Sequence, residues 1–301
     1  MTELVRVRVP ATCANLGPGF DSLGVTLDLW NEVEFRLGGS GFHHLVQGEG
    51  RDALNEKPDS LLERAFYRVF SFLQRPAPAG AQALANNRIP LSSGLGSSAA
   101  AVIGGLLGAN ALLGEPLTRE QILNLATELE GHPDNAAPAL LGGLTASVKL
   151  ETEILARRFD VPRLTAVIVR PEVELLTRAA RAVLPRSVLH ADAVFNLSRA
   201  PLVMEALRQG DLDLLGKVMD DRLHQPYRLA HIPGGAAAYE TAKGFGAAAL
   251  AGAGPSILVI TRPEQAEPAM RAIQTSFSGV GIDSRGWVCQ TSNAPADWQR
   301  A

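Results

Sequence analysis

At 301 residues the chain exceeds what one hydrophobic core usually supports, so two domains are expected. Hydrophobic residues make up 46% and charged residues 20%, the balance of a globular enzyme, and a net charge of -3 offers no basic footprint for nucleic acid or an anionic membrane. Cys13 and Cys289 are far apart and form no CxxC pair, which argues against a disulfide framework or zinc site and for a reducing, cytoplasmic setting.

Val5, Val7 and Val9 alternate with Arg6 and Arg8, the period-2 pattern of a strand with one wet face. Val25, Leu27 and Leu29 repeat it, and Val33 with Phe35 extends it into an antiparallel meander. Glu3, Arg6 and Arg8 stand where the apolar core of a secretion signal would have to be. Leu61 to Leu73 reads as a helix closed by the Pro/Gly-rich loop QRPAPAGA. Leu91 to Gly114 is uncharged and long enough to raise a membrane question, but its six glycines, its serines and Asn110 fit a buried helix with a polar start better. That helix, Ser97 to Leu113, stops at Gly114 and Pro116. Thr118 and Gln121 have capping-box spacing and open a third helix whose apolar face is Ile122, Leu125, Ala126 and Leu129, with Gly131 ending it.

A second composition begins near residue 160. Leu164 to Val169 reads as a strand, Ala193 to Leu223 as two amphipathic helices and Ile257 to Ile260 as a strand. Glu264 to Phe277 reads as a helix and Trp287 to Gln290 as a closing strand. Charges and Pro162 cluster over residues 152–162, which predicts domains at 1–155 and 156–301. Strands and helices mix without strict alternation, so the expected class is α+β.

The segment Pro90-Leu91-Ser92-Ser93-Gly94-Leu95-Gly96-Ser97-Ser98-Ala99-Ala100 runs from a short strand into a helix. Gly94 and Gly96 permit a sharp turn and close backbone approach to a ligand. Ser97 and Ser98 fall at the helix start, where free N–H groups and the helix dipole favour an anion. A serine hydroxyl there could also reach a Mg²⁺ bridging two phosphates. No lysine follows, so this is not a GxxxxGK[ST] loop, and it does not match GxGxxG. Taken alone, the string fits a Ser/Gly-rich connector capping a buried helix equally well.

PLSSGLGSSAA resembles the ATP-binding signature of the GHMP kinases, which phosphorylate galactose, homoserine, mevalonate and phosphomevalonate. PATCANLGPGFDSLG (Pro10 to Gly24) and AGAGPSILVI (Ala251 to Ile260) fall where that superfamily would have them, so the three motifs span essentially the whole chain. The first is similar to the form found in homoserine kinases, and LEGHPDNAAPALLGG (Leu129 to Gly143), TRAARAVLP (Thr177 to Pro185) and DDRLHQPYR (Asp220 to Arg228) agree with it. The resemblance implies an N-terminal domain like domain 2 of ribosomal protein S5 and a ferredoxin-like C-terminal domain. It also implies a homodimer and ATP-dependent phosphorylation of L-homoserine on the way to threonine.

The same resemblance assigns the site. Residues 90–100 would hold ATP, and Asn15, Asp21, His132 and Asn135 would line the amino-acid end, with Asp21 facing the ammonium. Arg181 and Arg228 would take the carboxylate as guanidinium forks, and Thr177 would lie beside the reacting hydroxyl. Asp134 is a further candidate. On the residues alone, Asn15 and Asp21 could be turn residues around Gly17-Pro18-Gly19, His132 a helix-end cap, and the two arginines surface charges. Mg²⁺ needs a carboxylate beside Ser98, and Glu128 and Glu130 compete. At 100° per residue Glu130 lies roughly 80° from the apolar face and Glu128 roughly 120°, which favours Glu130. No lysine in the N-terminal motif supplies the Asp–Lys pair used by some relatives; the resemblance to homoserine kinases implies transfer without a dedicated base, the hydroxyl being steered by neighbouring polar groups, and Asp21, Ser98, Glu130 and Thr177 are the candidates for work at the reacting atoms. Cys13 stands where that family more often has serine or threonine. Another GHMP kinase, acting on mevalonate or a sugar, is the alternative; a non-catalytic sensor is disfavoured because the loop serines and the carboxylate are intact.

Overall fold

The computed structural model describes residues 4–56, 59–173 and 177–300, without the side chains of 177–179. In chain order the elements are β1 (Leu4–Ala14), β2 (Leu23–Leu37), β3 (Gly41–Gly48), α1 (Arg51–Asn55), α2 (Leu61–Phe72), β4 (Gly80–Asn87), α3 (Ser97–Leu112), α4 (Arg119–Glu130), α5 (Ala136–Leu141), β5 (Leu144–Lys149) and β6 (Ile154–Phe159). They continue as β7 (Thr165–Pro171), α6 (Thr177–Ala182), α7 (His190–Gln209), α8 (Leu212–Val218), α9 (Gln225–Leu229), α10 (Gly235–Lys243), β8 (Ala247–Leu250), β9 (Ile257–Thr261), α11 (Ala266–Ser278), β10 (Ser284–Gln290) and β11 (Asp297–Arg300).

The first sheet runs β11-β1-β2-β4-β3, with β5 beside the start of β2 and β6 beside β5. The alternating stretches expected as separate strands at 25–29 and 33–35 form one 15-residue strand, β2. Its pairing with β1 shifts register between Pro10 and Ala11, so Pro10 faces Trp30 but Ala11 faces Leu27. Such a bulge re-aims the strand: beyond it the end of β1 leads into the loop that carries Asn15 and Asp21. β3 and β4 pair in parallel, bridged by α1 and α2. β4 reads GAQALANN, a poor strand former by composition, and is held there by pairing with both β2 and β3.

Helix α3 is buried along nearly its full length and packs against α2 and β1. A Cβ on Gly108 would come within 2.4 Å of the Phe35 ring, so glycine is what lets this helix lie close on the sheet. The capping box of α4 is present as expected, Thr118 and Gln121 each accepting from the other's backbone N–H, and Gly131 closes the helix at φ 89°.

The second sheet has the order β10-β7-β9-β8, all antiparallel, in the chain sequence β7-helices-β8-β9-α11-β10. That is the ferredoxin-like arrangement. Both faces are covered. Ala166, Ile168, Leu258 and Ile260 join the core shared with the first sheet, while Val167, Val169, Ile257 and Val259 pack with Ala238, Ile273 and Phe277 of α10 and α11. Burial on two faces explains why TAVIV and ILVI are unbroken apolar runs. The helix expected from Glu264 begins with a 3₁₀ turn at Pro263–Gln265 and becomes α-helical at Ala266. The helical pattern expected to reach Leu223 ends at Val218, and Asp221 beyond it accepts from the N–H groups of His224 and Gln225 at the start of α9. No helix among the described residues is long and apolar enough to cross a membrane.

Candidate active site

The loop after β4 is braced before it reaches α3. Asn31 Oδ1 accepts from the N–H of Arg88 (2.8 Å) and Ile89 (2.9 Å), fixing the loop to the middle of β2. Ser93 Oγ donates to Pro90 O at 2.7 Å and accepts from Leu95 N–H at 3.2 Å, an internal staple. Gly94 has φ 75°, and a Cβ there would stand 1.8 Å from Ala251 O; Gly96, at φ 70°, caps α3, and a Cβ there would stand 2.2 Å from Thr12 Oγ1. These two contacts join the three motifs at one point. Ser97, Ser98 and Ala99 then present the amides of the first turn of α3, which has no side-chain cap.

Ser98 Oγ donates to Glu130 Oε1 at 2.6 Å, joining the start of α3 to the end of α4. Burial raises the pKa of Glu130 more than the Ser98 bond and neighbouring His132 lower it. Glu128 faces the other way, exposed and paired with Arg68 at 2.9 Å. His132 Nδ1 lies 2.6 Å from the buried Asp134 Oδ1, and that hydrogen bond raises the pKa of His132. Asn135 opens α5 and accepts from Thr12 Oγ1 at 2.9 Å.

The amino-acid end is built by the turn after β1. Asn15, Leu16, Gly17 and Asp21 all have positive φ, so this segment is held in an uncommon backbone conformation. Asn15 fixes it: its Nδ2 donates to Gly252 O at 2.7 Å, and its Oδ1 accepts from Asp21 N–H at 3.0 Å. Asp21 receives a two-pronged contact from Arg181, Nη1 to Oδ2 at 2.8 Å and Nη2 to Oδ1 at 2.7 Å. The ammonium partner and one carboxylate partner expected from sequence therefore bind each other. Arg228 is 2% exposed, and its pKa is pushed down to about 10, by burial first and then by Arg181. The guanidinium carbons of Arg181 and Arg228 lie 5.6 Å and 5.2 Å from the centroid of the Phe20 ring. An aromatic face offsets part of the repulsion between two cations.

Asn15, Asp21, Ser92, Ser93, Gly94, Gly96, Ser97, Ser98, Glu130, His132, Asp134, Asn135, Arg181 and Arg228 line a single cavity of about 370 Å³. It adjoins a second cavity of about 470 Å³, and the two share Leu61, Ser92, Ser97 and Ser98. The second has apolar walls from Val33, Val46, Leu54 and Leu91 with Asn31, His44 and Asn87 at its rim; Ala100 reaches it too. Pro90, Leu95 and Ala99 are buried and support the loop from beneath. Thr177 opens α6, and its side chain lies outside the described residues. Cys13 is fully buried and its thiol is pushed up to about 12, so it presents no reactive thiolate.

Four contributors escaped the sequence reading: Phe20, Thr12, Gly252 and His224. Phe20 and Thr12 lie inside the N-terminal motif, Gly252 inside the AGAGPS segment and His224 four residues before Arg228, so membership of a motif was the available signal.

A helix start aimed into a cavity, a carboxylate beside it and opposed charges a few residues away make a site for moving a phosphoryl group onto a small polar acceptor. The fold carrying it is shared. The GHMP kinases N terminal domain matches residues 61–143 and the GHMP kinases C terminal domain residues 203–279. A homoserine kinase from Moorella thermoacetica is 46% identical over 92% of this chain and 93% of its own. One from Picosynechococcus sp. is 43% identical over 95% and 96%. The crystal structure of homoserine kinase from Cytophaga hutchinsonii superposes with a TM-score of 0.87 at 29% identity, covering 99% of this chain and 98% of that one. The chain belongs to the homoserine kinase family of the GHMP kinases. It is an enzyme, a kinase.

Proposed function

We propose that the protein transfers the γ-phosphoryl group of ATP to the side-chain hydroxyl of L-homoserine, giving O-phospho-L-homoserine for threonine biosynthesis. The observation that carries this reading is the single cavity in which the start of α3 and Glu130 adjoin Asp21, Arg181 and Arg228. The two ends suit the two halves of the reaction: amides and a helix dipole for phosphate, paired opposite charges for a zwitterion.

In this reading the adenosine occupies the apolar 470 Å³ cavity, and the triphosphate passes Ser92, Ser97 and Ser98 into the 370 Å³ cavity. The amides of Gly94, Gly96, Ser97, Ser98 and Ala99 stand in for the lysine that other phosphate loops use. Homoserine exchanges into the Asp21–Arg181 pair, its ammonium against Asp21 and its carboxylate against Arg181 and Arg228. Asn15, His132 and Asn135 shape the floor, and the family resemblance assigns Thr177 to the hydroxyl. Among the described residues no group of three or more His, Cys, Asp and Glu side chains could hold a metal alone. Ser98 Oγ and Glu130 Oε1, hard oxygen donors beside the phosphate path, fit Mg²⁺ completed by phosphate oxygens and water. When bound, Mg²⁺ supplies neutralisation of phosphate charge. The remaining work is alignment, because phosphoryl transfer proceeds through a loose transition state that asks for little covalent help. In this complex Asp21 is engaged by the substrate ammonium, so we assign no dedicated base. The proposal includes cytoplasmic location, a homodimer and domains at 1–155 and 156–301. The change of sheet between Phe159 and Thr165 supports a division near there, while β11 returns to pair with β1.

Coupled ADP release with L-homoserine, mevalonate, galactose and L-threonine as acceptors tests the substrate. Turnover with mevalonate or galactose but none with homoserine would overturn the assignment and leave the kinase intact.

A further inference from the structure

Behind Arg228 lies a buried histidine that the reaction as described does not use. His224 is 0% exposed and stacks on Phe20, ring centroids 5.0 Å apart and planes 22° apart. Its two nitrogens meet groups of opposite character. Nε2 is 2.9 Å from Gly17 O, which can only accept, and Nδ1 is 3.1 Å from Arg228 Nη1, which can only donate. One form of the ring satisfies both: neutral, with its proton on Nε2. Burial pushes the ring toward the neutral form and outweighs the pull of the Asp221 charge toward the protonated one, with the charge of Arg228 adding to the effect of burial.

The ring is itself clamped. The buried carboxylate of Asp221 accepts from the backbone N–H of Leu223, His224 and Gln225 at 3.0, 2.9 and 2.6 Å, and from Asn196 Nδ2 at 2.6 Å. Asn196 Nδ2 also reaches Pro18 O at 3.3 Å. The turn at Gly17 and Pro18 is thus locked to the start of α9 along two routes, and one of them passes through the imidazole.

Arg228 shows what this is for. Its Nε donates to Ala180 O at 3.1 Å, next to Arg181, and its Nη1 donates to His224 Nδ1 and, at 3.3 Å, to Gly252 O. Nε and Nη1 are thereby committed to neutral acceptors of the scaffold, which leaves Nη2 for a ligand. The cation keeps its charge for a ligand, while its plane is set by three fixed points. The N–H bonds of Nη2 lie in that plane, so fixing the plane fixes the direction from which a carboxylate is met, which a long side chain would otherwise leave free.

We propose that His224 is a positioning residue for substrate recognition: its neutral imidazole, braced on Gly17, fixes the plane in which Arg228 meets the substrate carboxylate. This rests on the assignment of Arg228 to the homoserine carboxylate. It separates His224 from residues that touch substrate, and it predicts a defect in homoserine binding alone.

His224→Phe keeps the ring volume and the Phe20 stack and removes both hydrogen bonds. His224→Asn keeps an acceptor at the Nδ1 position and loses the reach to Gly17. Steady-state kinetics on the full-length enzyme should show KM for L-homoserine raised on the order of 10- to 100-fold in His224→Phe, the loss of a buried charge-assisted contact. KM for ATP and kcat at saturating homoserine should each move less than about threefold, and His224→Asn should recover part of the homoserine KM. An unchanged homoserine KM overturns the proposal, as does a parallel fall in all three parameters. Should His224→Phe fail to fold, the comparison is His224→Asn against His224→Gln. Equal homoserine KM in those two would also sink it, since only Asn presents its acceptor where Nδ1 was. A wild-type enzyme inactive on homoserine but active on another acceptor would remove the substrate reading on which the proposal stands, a result distinguishable from either failure.

Discussion

Replacing Glu130 by Gln should lower turnover and, at neutral pH, raise the stability of the ligand-free protein. The two effects have opposite signs and a common origin. Glu130 Oε1 accepts from Ser98 at 2.6 Å, and a Gln oxygen can keep that bond in neutral form. What is lost is the charge-assisted part, about half of a ~1.5–3 kcal/mol interaction. What is gained is relief from burying an ionised carboxylate, and the raised pKa of Glu130 says that burial outweighs the hydrogen bond. The ligand-free variant should therefore melt at or above the wild-type temperature; for a chain of this size each kcal/mol is worth roughly 2 °C. The pH dependence follows from the sign. A carboxyl whose folded pKa is raised penalises the fold fully above that value, and the penalty disappears as pH falls below the ordinary value near 4.5. The advantage of Glu130→Gln should be widest near pH 8 and close toward pH 4.5. Function moves the other way: losing a fixed charge beside the transferring group costs on the order of 10²–10³ in kcat, about 2.7–4 kcal/mol. Differential scanning calorimetry at several pH values, with ADP-release kinetics, reads both. Melting with a non-hydrolysable ATP analogue adds a third measure, since Mg²⁺ should deepen the stabilisation in wild type and not in the variant. A ligand-free melting point depressed by more than about 4 °C with kcat within threefold would show Glu130 to be a structural strut, and the argument would fail.

Asp21→Asn should leave stability almost untouched, because its partner Arg181 is 45% exposed and Asp21 34%, and ion pairs so placed contribute about 0–1 kcal/mol. Its homoserine KM should nonetheless rise at least tenfold, and a melting loss without a KM change would contradict this. Gly94→Ala should cost about 1–2 kcal/mol from backbone strain at φ 75°, with more from the clash on Ala251 O, and should raise KM for ATP more than KM for homoserine. Calorimetry and kinetics on one preparation check both parts. The Asp134 hydrogen bond raises the pKa of His132, so the stabilisation it provides is complete below the ordinary value near 6.5 and is lost as pH rises through the folded value. The unfolding free-energy gap between wild type and His132→Asn should accordingly be larger at pH 6 than at pH 9, and a gap that widened with pH would refute the pairing.

Local pattern alone made several features legible. Thr118 caps α4, Gly131 closes it, and the loop serines stand at the start of α3, because caps and turns depend on residues a few positions apart. Helix geometry also gave the facing of two glutamates: Glu130 meets Ser98, and Glu128 meets Arg68. β4 was legible only as a short strand before Pro90, without its extent, since GAQALANN becomes a strand only between two partners that call on its backbone. β2 read as two strands because its inward face interrupts at the bulge opposite Pro10, and that register is set by β1 rather than by β2 itself.

For the candidate site the division is sharper. Residue type and motif pointed to Asn15, Asp21, Arg181 and Arg228, but tertiary structure alone decided their pairing. Asp21 and Arg181 are 160 positions apart, and so is any rule that could match them from a string. It was likewise the packing of α9 against the Gly17 turn that made His224 a partner of Arg228. The physical reason is common to both. A charge advertises what chemistry a residue can do, while desolvation and the hydrogen bonds around it decide whether that charge is spent inside the protein or kept for a ligand, and only the folded chain sets those.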